Sequence, residues 1–146
     1  MPTEKRNDPY RSFNFRIEID GVASGSFSEC SGLSAVGDVV EYREGTDLSL
    51  TVRKLVGLQK YSNITLKRGY TQNMELWNWH RNIVYGVADR RNCTIILMDE
   101  KRQDVLRWNV ESAWPRKIEG PSLKASGNEV AIESIELAHE GLTLET

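Results

Sequence analysis

From Phe13 to Asp20 apolar and polar residues alternate without a break. Phe13, Phe15, Ile17 and Ile19 point one way; Asn14, Arg16, Glu18 and Asp20 point the other. A side-chain period of two marks a half-buried β-strand. The pattern recurs along the chain and is interrupted by a single helical segment. That recurrence most limits the folds open to 146 residues, a length that suits one domain, 1–146.

After a turn over Gly21–Gly25, "SFSEC" reads as a short second strand. "DVVEYRE" and "LSLTVRKL" flank "GTD", and Leu48, Leu50 and Val52 alternate with Ser49, Thr51 and Arg53. This predicts a projecting β-hairpin over 38–55 with its turn near Gly45. A two-stranded hairpin needs a surface to cover its apolar face. "VGLQKYS" reads as a loop, and "NITLKR" as a strand with Ile64 and Leu66 inward. "NCTIILM" is apolar on both faces, as in a central strand covered on both sides. In "VLRWNVESAW" the residues Leu106, Trp108, Val110 and Trp114 share one parity and hence one face. "PRKIEGPSLKASGN" reads as a loop or broken edge. The final strand slips phase between Val130 and Ile132 on one side and Ile135 and Leu137 on the other. A β-bulge near Glu133–Ser134 would bring all four to one face.

The helix is expected over 72–85. Thr71 or Asn73 can cap it, Glu75 lies in or near its first turn, and Gly86 is placed to stop it. Trp77 and Trp79 point about 200° apart on such a helix, so they cannot both face one core. Met74, Trp77, Arg81 and Val84 form one stripe; Leu76, Trp79 or His80, and Ile83 form another. Trp77 is the expected core ring, because it shares its stripe with Met74 and Val84. Four tryptophans and so wide an apolar set imply contacts on more than one side of the subunit. The whole reads as mainly β: an antiparallel β-sandwich or barrel with one flanking α-helix.

Net charge is −2 and the pI is about 5.8, which gives no reason to expect tight binding to a nucleic-acid backbone. No apolar run approaches the roughly 20 residues of a membrane span. The polar start, "MPTEKRNDPYRS", reads as an arm over 1–12 without a secretory signal, in a chain that begins in the cytosol. Cys30 and Cys93 read as reduced, buried small hydrophobes. "SGLSAVG" lacks the lysine of a phosphate-binding loop and precedes a strand. No G-x-S-x-G elbow is present. Glu75 and His80 lie five apart, which matches no zinc motif. Glu133, Glu136, His139 and Glu140 invite a metal reading, against which stands a solvated acidic strand face. Lys67, Arg68 and Tyr70 make only a short basic patch. No catalytic, cofactor or metal site is expected.

The stretches "DPYRSFNFRIEIDG", "FSECSGLS", "VVEYREGT", "KLVGLQKYSNITLKRGYT" and "ELWNW" occur in an order and spacing that resemble the tail tube proteins of contractile phage tails and phage-tail-like contractile injection systems. They cover roughly residues 8–80. The resemblance implies a ring-forming subunit: six copies close a ring around a channel, and rings stack into a tube inside a contractile sheath. It implies as partners further copies of the chain, a sheath protein, baseplate or tube-initiator and terminator proteins, and DNA or protein cargo in the lumen, with no stable membrane insertion. It places the protein in a particle assembled in the bacterial cytoplasm. Trp77, Trp79, Gly45, Leu48, Leu50 and Val52 are then the candidate subunit and ring contacts. A small β-barrel binding module for a ligand or nucleic acid is the competing reading, and a hydrolase with scattered catalytic residues a third.

Overall fold

The computed structural model describes residues 8–20, 22, 27–70 and 72–146. The Gly21–Gly25 turn, Thr71 and most of the arm lie largely or wholly outside them. Among the described residues nine strands and one helix follow in order: β1 Phe15–Ile19, β2 Phe27–Ser31, β3 Ala35–Tyr42, β4 Arg53–Tyr61, β5 Ile64–Gly69, α1 Glu75–Val84, β6 Arg91–Met98, β7 Asp104–Glu119, β8 Ile132–Ala138 and β9 Gly141–Glu145. All strand pairs are antiparallel.

Two long ribbons organise the chain. In the first, Ser31 opposes Thr65 and, four residues on, Ala35 opposes Tyr61. β2–β3 and β4–β5 therefore form one hairpin whose register carries across an interruption at residues 32–34 and 62–63, with shifts at Phe27/Glu29 and Gly37/Val39. Gly32 has φ +93° at the interruption, and a Cβ there would stand 2.0 Å from the Asn63 carbonyl oxygen. In the second ribbon, Trp114 opposes Ala138 and, three residues on, Glu111 opposes Gly141. β8 and β9 thus act as one strand along β7, bent at His139–Glu140 where β7 bends at Ser112, whose φ is +53°. β6 and β1 extend one half of this ribbon; β5 and β2 extend the other. The bend folds the halves together as a sandwich, with Ile17, Ile64, Leu66, Ile95, Val110, Ile135 and Leu137 buried between them.

The bend in β7 changes which residues face inward. Val110 is buried, then Ala113 and Pro115, while Trp114 leaves the shared face expected of it. "PRKIE" is strand and not loop. Beyond Ala113 no described strand pairs with the side of β7 away from β8, and an extra residue sits between Pro115 and Lys117, so a proline is tolerated there. The expected bulge in the last strand is absent: β8 pairs with β5 without a shift. Its inward residues are Glu133, Ile135 and Leu137; Val130 precedes the strand and is exposed. β6 is central, with Ile95 and Ile96 buried on opposite faces. "VGLQKY" is not a loop either but most of β4.

In α1, Asn73 Oδ1 accepts the Glu75 N–H at 2.9 Å, and Gly86 ends the helix at φ +82°. The core ring is Trp79, not Trp77. The inward stripe is Leu76 and Trp79, both buried, while Met74 and Val84 are exposed. A ring facing the sandwich must pair with the apolar residue one turn away on that same side, and for Leu76 that partner is three positions on. Trp79 Nε1 donates to the Asp89 carbonyl at 2.8 Å, and the Arg91 guanidinium lies 5.0 Å over its ring. Arg91 in turn bonds Asp89, whose carboxyl it holds below the usual range, helped by Asn82. Trp77 is half-buried beside Gly120, at the end of β7.

Trp79→Ala is expected to cost about 3–5 kcal/mol in urea unfolding, and Trp77→Ala clearly less. Burial pushes the Cys30 thiol up to about 11 and the Cys93 thiol to about 12, from 9.0. The unfolded chain ionises first, so both thiols withdraw stability as pH rises above about 9. At pH 8 neither is expected to react with iodoacetamide until denaturant is added; mass spectrometry checks it.

Candidate assembly surfaces

The hairpin β3–β4 stands apart from the sandwich as its own two-stranded sheet, exposed along nearly its whole length. Leu48, Leu50 and Val52 do not alternate along a strand, as the sequence suggested. They lie in the tip between Tyr42 and Arg53, with Gly45 beside them. The tip is a built structure despite lacking a core. Asp47 accepts from Arg53 at 2.6 Å and from the Glu44 N–H at 3.0 Å. Arg43 donates to the Asp47 and Ser49 carbonyls at 3.1 and 3.0 Å. Polar groups tied to one another in this way leave the leucines outside: Leu48 and Leu50 are almost fully exposed.

The hairpin's root is held where both ribbons bend. Ser34 and Ser62 share a hydroxyl hydrogen bond of 2.7 Å. His139, at the β8–β9 bend, sits with Nε2 2.9 Å from the Ser62 carbonyl and Nδ1 3.2 Å from that of Gly141. A second exposed surface is the outer side of α1, a hollow of about 510 Å³ bounded by Tyr70, Met74, Trp77, Arg81, Val84 and Tyr85. Trp77 Nε1 is buried there with no hydrogen-bond partner among the described residues.

The acidic residues of the last strand are engaged by bases. Arg68 Nε donates to Glu133 inside the sandwich, where the two side chains are 5% and 3% exposed. Arg68 also donates to the Asn73 carbonyl at 3.3 Å and lies 5.7 Å from the Phe27 ring centre. Glu136 accepts from Arg116 at 2.7 Å, and Glu140 from Arg90 at 2.6 Å. Among the described residues no three His, Cys, Asp or Glu converge as a metal site. The Arg68–Glu133 pair escaped sequence reading because the two residues lie 65 positions apart. Its one trace was the phase of β8: with Ile135 and Leu137 inward, Glu133 must be inward too.

A family model of the T4-like virus tail tube protein gp19 matches residues 11–143. The chain belongs to the T4-like tail tube protein family. No curated protein sequence matches it. Among solved structures, it is similar to a chain in the PVC extracellular contractile injection system sheath-tube complex in the extended state. The TM-score there is 0.85 at 27% identity, covering 95% of this chain and 93% of that one. It is similar also to a chain in the anti-feeding prophage cap, with TM-score 0.87 and 27% identity over 99% and 96% of the two chains. Hcp1 from Flavobacterium johnsoniae shares the fold at TM-score 0.56 and 10% identity, over 89% and 93%. This tail tube protein is therefore a structural tube subunit of the phage-tail and contractile-injection class.

Glu133→Gln is expected to destabilise this tail tube protein by about 3–5 kcal/mol, because it leaves Arg68 charged and buried without its partner. Replacing both, Arg68→Met with Glu133→Leu, is expected to recover much of that loss; urea unfolding of the three proteins checks it.

Proposed function

We propose that six copies of this tail tube protein close a ring, and that rings stack through the hairpin into a tube enclosed by a contractile sheath. The observation that carries the reading is the hairpin's exposure: among the described residues, eleven of the 22 large apolar side chains that are exposed lie between Val36 and Tyr61. A two-stranded ribbon is marginal in water, and one with apolar residues on both faces needs cover from outside the subunit. Among the described strands, β1 and β2 end the sheet with one edge each unpaired, which neighbouring copies in a ring would cover. The outer side of α1, with Trp77, is the second candidate seam.

The solved assemblies containing similar chains include a sheath-tube complex, a baseplate and a tube-terminating cap. By likeness to them, the partners are a sheath protein, baseplate proteins that start the tube and a terminator that ends it. The particle is built in a bacterial cytoplasm, and the lumen conducts DNA or protein cargo.

Negative-stain microscopy and hydrogen exchange test the reading. Wild-type protein is expected to form sixfold rings and tubes, with amides of residues 35–61 exchanging much more slowly in tubes than in monomers. Leu48→Ser with Leu50→Ser is expected to leave a folded protein that forms rings and no tubes. A monodisperse monomer at high concentration, or normal tube growth by the double-serine variant, would count against it.

A further inference from the structure

The first ribbon runs from Phe27 and Gly69 at one end to the 43–52 tip at the other. β8 lies along β5 with Ile132 opposite Gly69 and Leu137 opposite Ile64. The connection 120–131, which joins β7 to β8, therefore sits at the Gly69 end. Tip and connection mark opposite ends of one subunit, separated by the full length of β5 and the hairpin.

At the Gly69 end the connection borders a hollow of about 700 Å³ over the outer ends of β5 and β8, with Leu123, Lys124, Glu129 and Val130 in its wall. Leu123 and Val130 are 84% and 76% exposed. We propose that this hollow receives the hairpin tip of a second copy, head to tail, with Leu48 and Leu50 against Leu123 and Val130. The proposal rests on the tube reading and adds to it the surface that the tip meets.

Charge supports the same match. Arg43 bonds to two neutral carbonyls and has no ion-pair partner among the described residues, and Asp47 is taken by Arg53. The Glu44 carboxylate accepts from the Tyr42 hydroxyl at 3.4 Å and has no ion-pair partner among the described residues. The tip thus presents one unspent cation and one unspent carboxylate. In the hollow, Glu29 pairs with Lys67 and Glu119 with Lys117. Glu129 and Lys124 have no ion-pair partner among the described residues. Each end thus carries one cation and one carboxylate without an ion-pair partner among the described residues, beside two exposed apolar side chains. Two different faces that match each other at opposite ends of a subunit give an open stack, not a closed pair.

Mixing two variants tests the assignment. One carries Leu123→Asp with Val130→Asp and keeps its tip; the other carries Leu48→Ser with Leu50→Ser and keeps its hollow. Each alone is expected to form rings that do not stack. Mixed, they are expected to form ring pairs that grow no further, because only one seam per pair is intact. Single rings that stay unpaired after mixing, or tube growth by the Leu123/Val130 variant alone, would overturn the proposal and leave the tube reading standing. Wild-type protein that forms neither rings nor tubes would overturn both. A cross-link covers the case of a variant that does not fold. Leu48→Cys with Leu123→Cys, oxidised in assembled tubes, is expected to give a ladder of covalent multimers on a non-reducing gel, with native Cys30 and Cys93 unreactive in the subunit. No ladder from intact tubes would overturn the proposal.

Discussion

Antiparallel pairing carried in register through two bends is the constraint on which the rest of this tail tube protein depends. β7 with β8–β9 spans both layers of the sandwich, so the layers are halves of one ribbon and not two sheets brought together. The bend at Ser112 and His139–Glu140 turns one half over the other and encloses the core. The first ribbon, paired to the second through β5 and β8, then has nowhere to place its far half except in solvent. The projecting hairpin follows from the same pairing that builds the body. Its root is fixed by Gly32, which alone tolerates the approach to Asn63, and by Ser34, Ser62 and His139.

The body is closed at the side by α1, and that closure is partly polar. Arg68 reaches from β5 to Glu133 on β8 and to the Asn73 carbonyl before the helix, so one buried cation ties two strands to the helix start. Arg91 does the same at the helix's other end, stacking over Trp79 while bonded to Asp89. A helix held at both ends leaves Trp77 and its neighbours facing outward in a fixed arrangement. A helix face fixed in this way suits a subunit seam, because that face loses little ordering entropy at each new contact.

The acidic strand shows how context decides chemistry. Glu133, Glu136 and Glu140 follow one another closely in sequence, yet each has an arginine from a different part of the chain. Their alternation and the bend send them to different surroundings: one into the core, two to the surface. A carboxylate with a guanidinium in contact is poorly placed to ligate a metal ion. The same strand that suggested a site is therefore a set of braces.

The sequence by itself determined the period-two strands, the lone helix with its Asn73 and Gly86 signals, the mainly β class and the family. These rest on local spacing, which the backbone's own geometry enforces. It also showed that Trp77 and Trp79 must face different ways. Which of them faces inward was decided by the tertiary structure, because it depends on where Leu76 and the β7 bend meet. So was the fate of "VGLQKYS" and "PRKIE": apolar alternation is weak there, and each becomes strand because a partner in register supplies hydrogen bonds its own side chains do not call for. The phase change read in the last strand belongs instead to β7, where Ser112 reverses the inward side; one strand's spacing cannot say which of two partners bends. Leu48, Leu50 and Val52 had strand spacing and became a tip, since Asp47 offered the backbone and two arginines a closer set of bonds than an edge partner could.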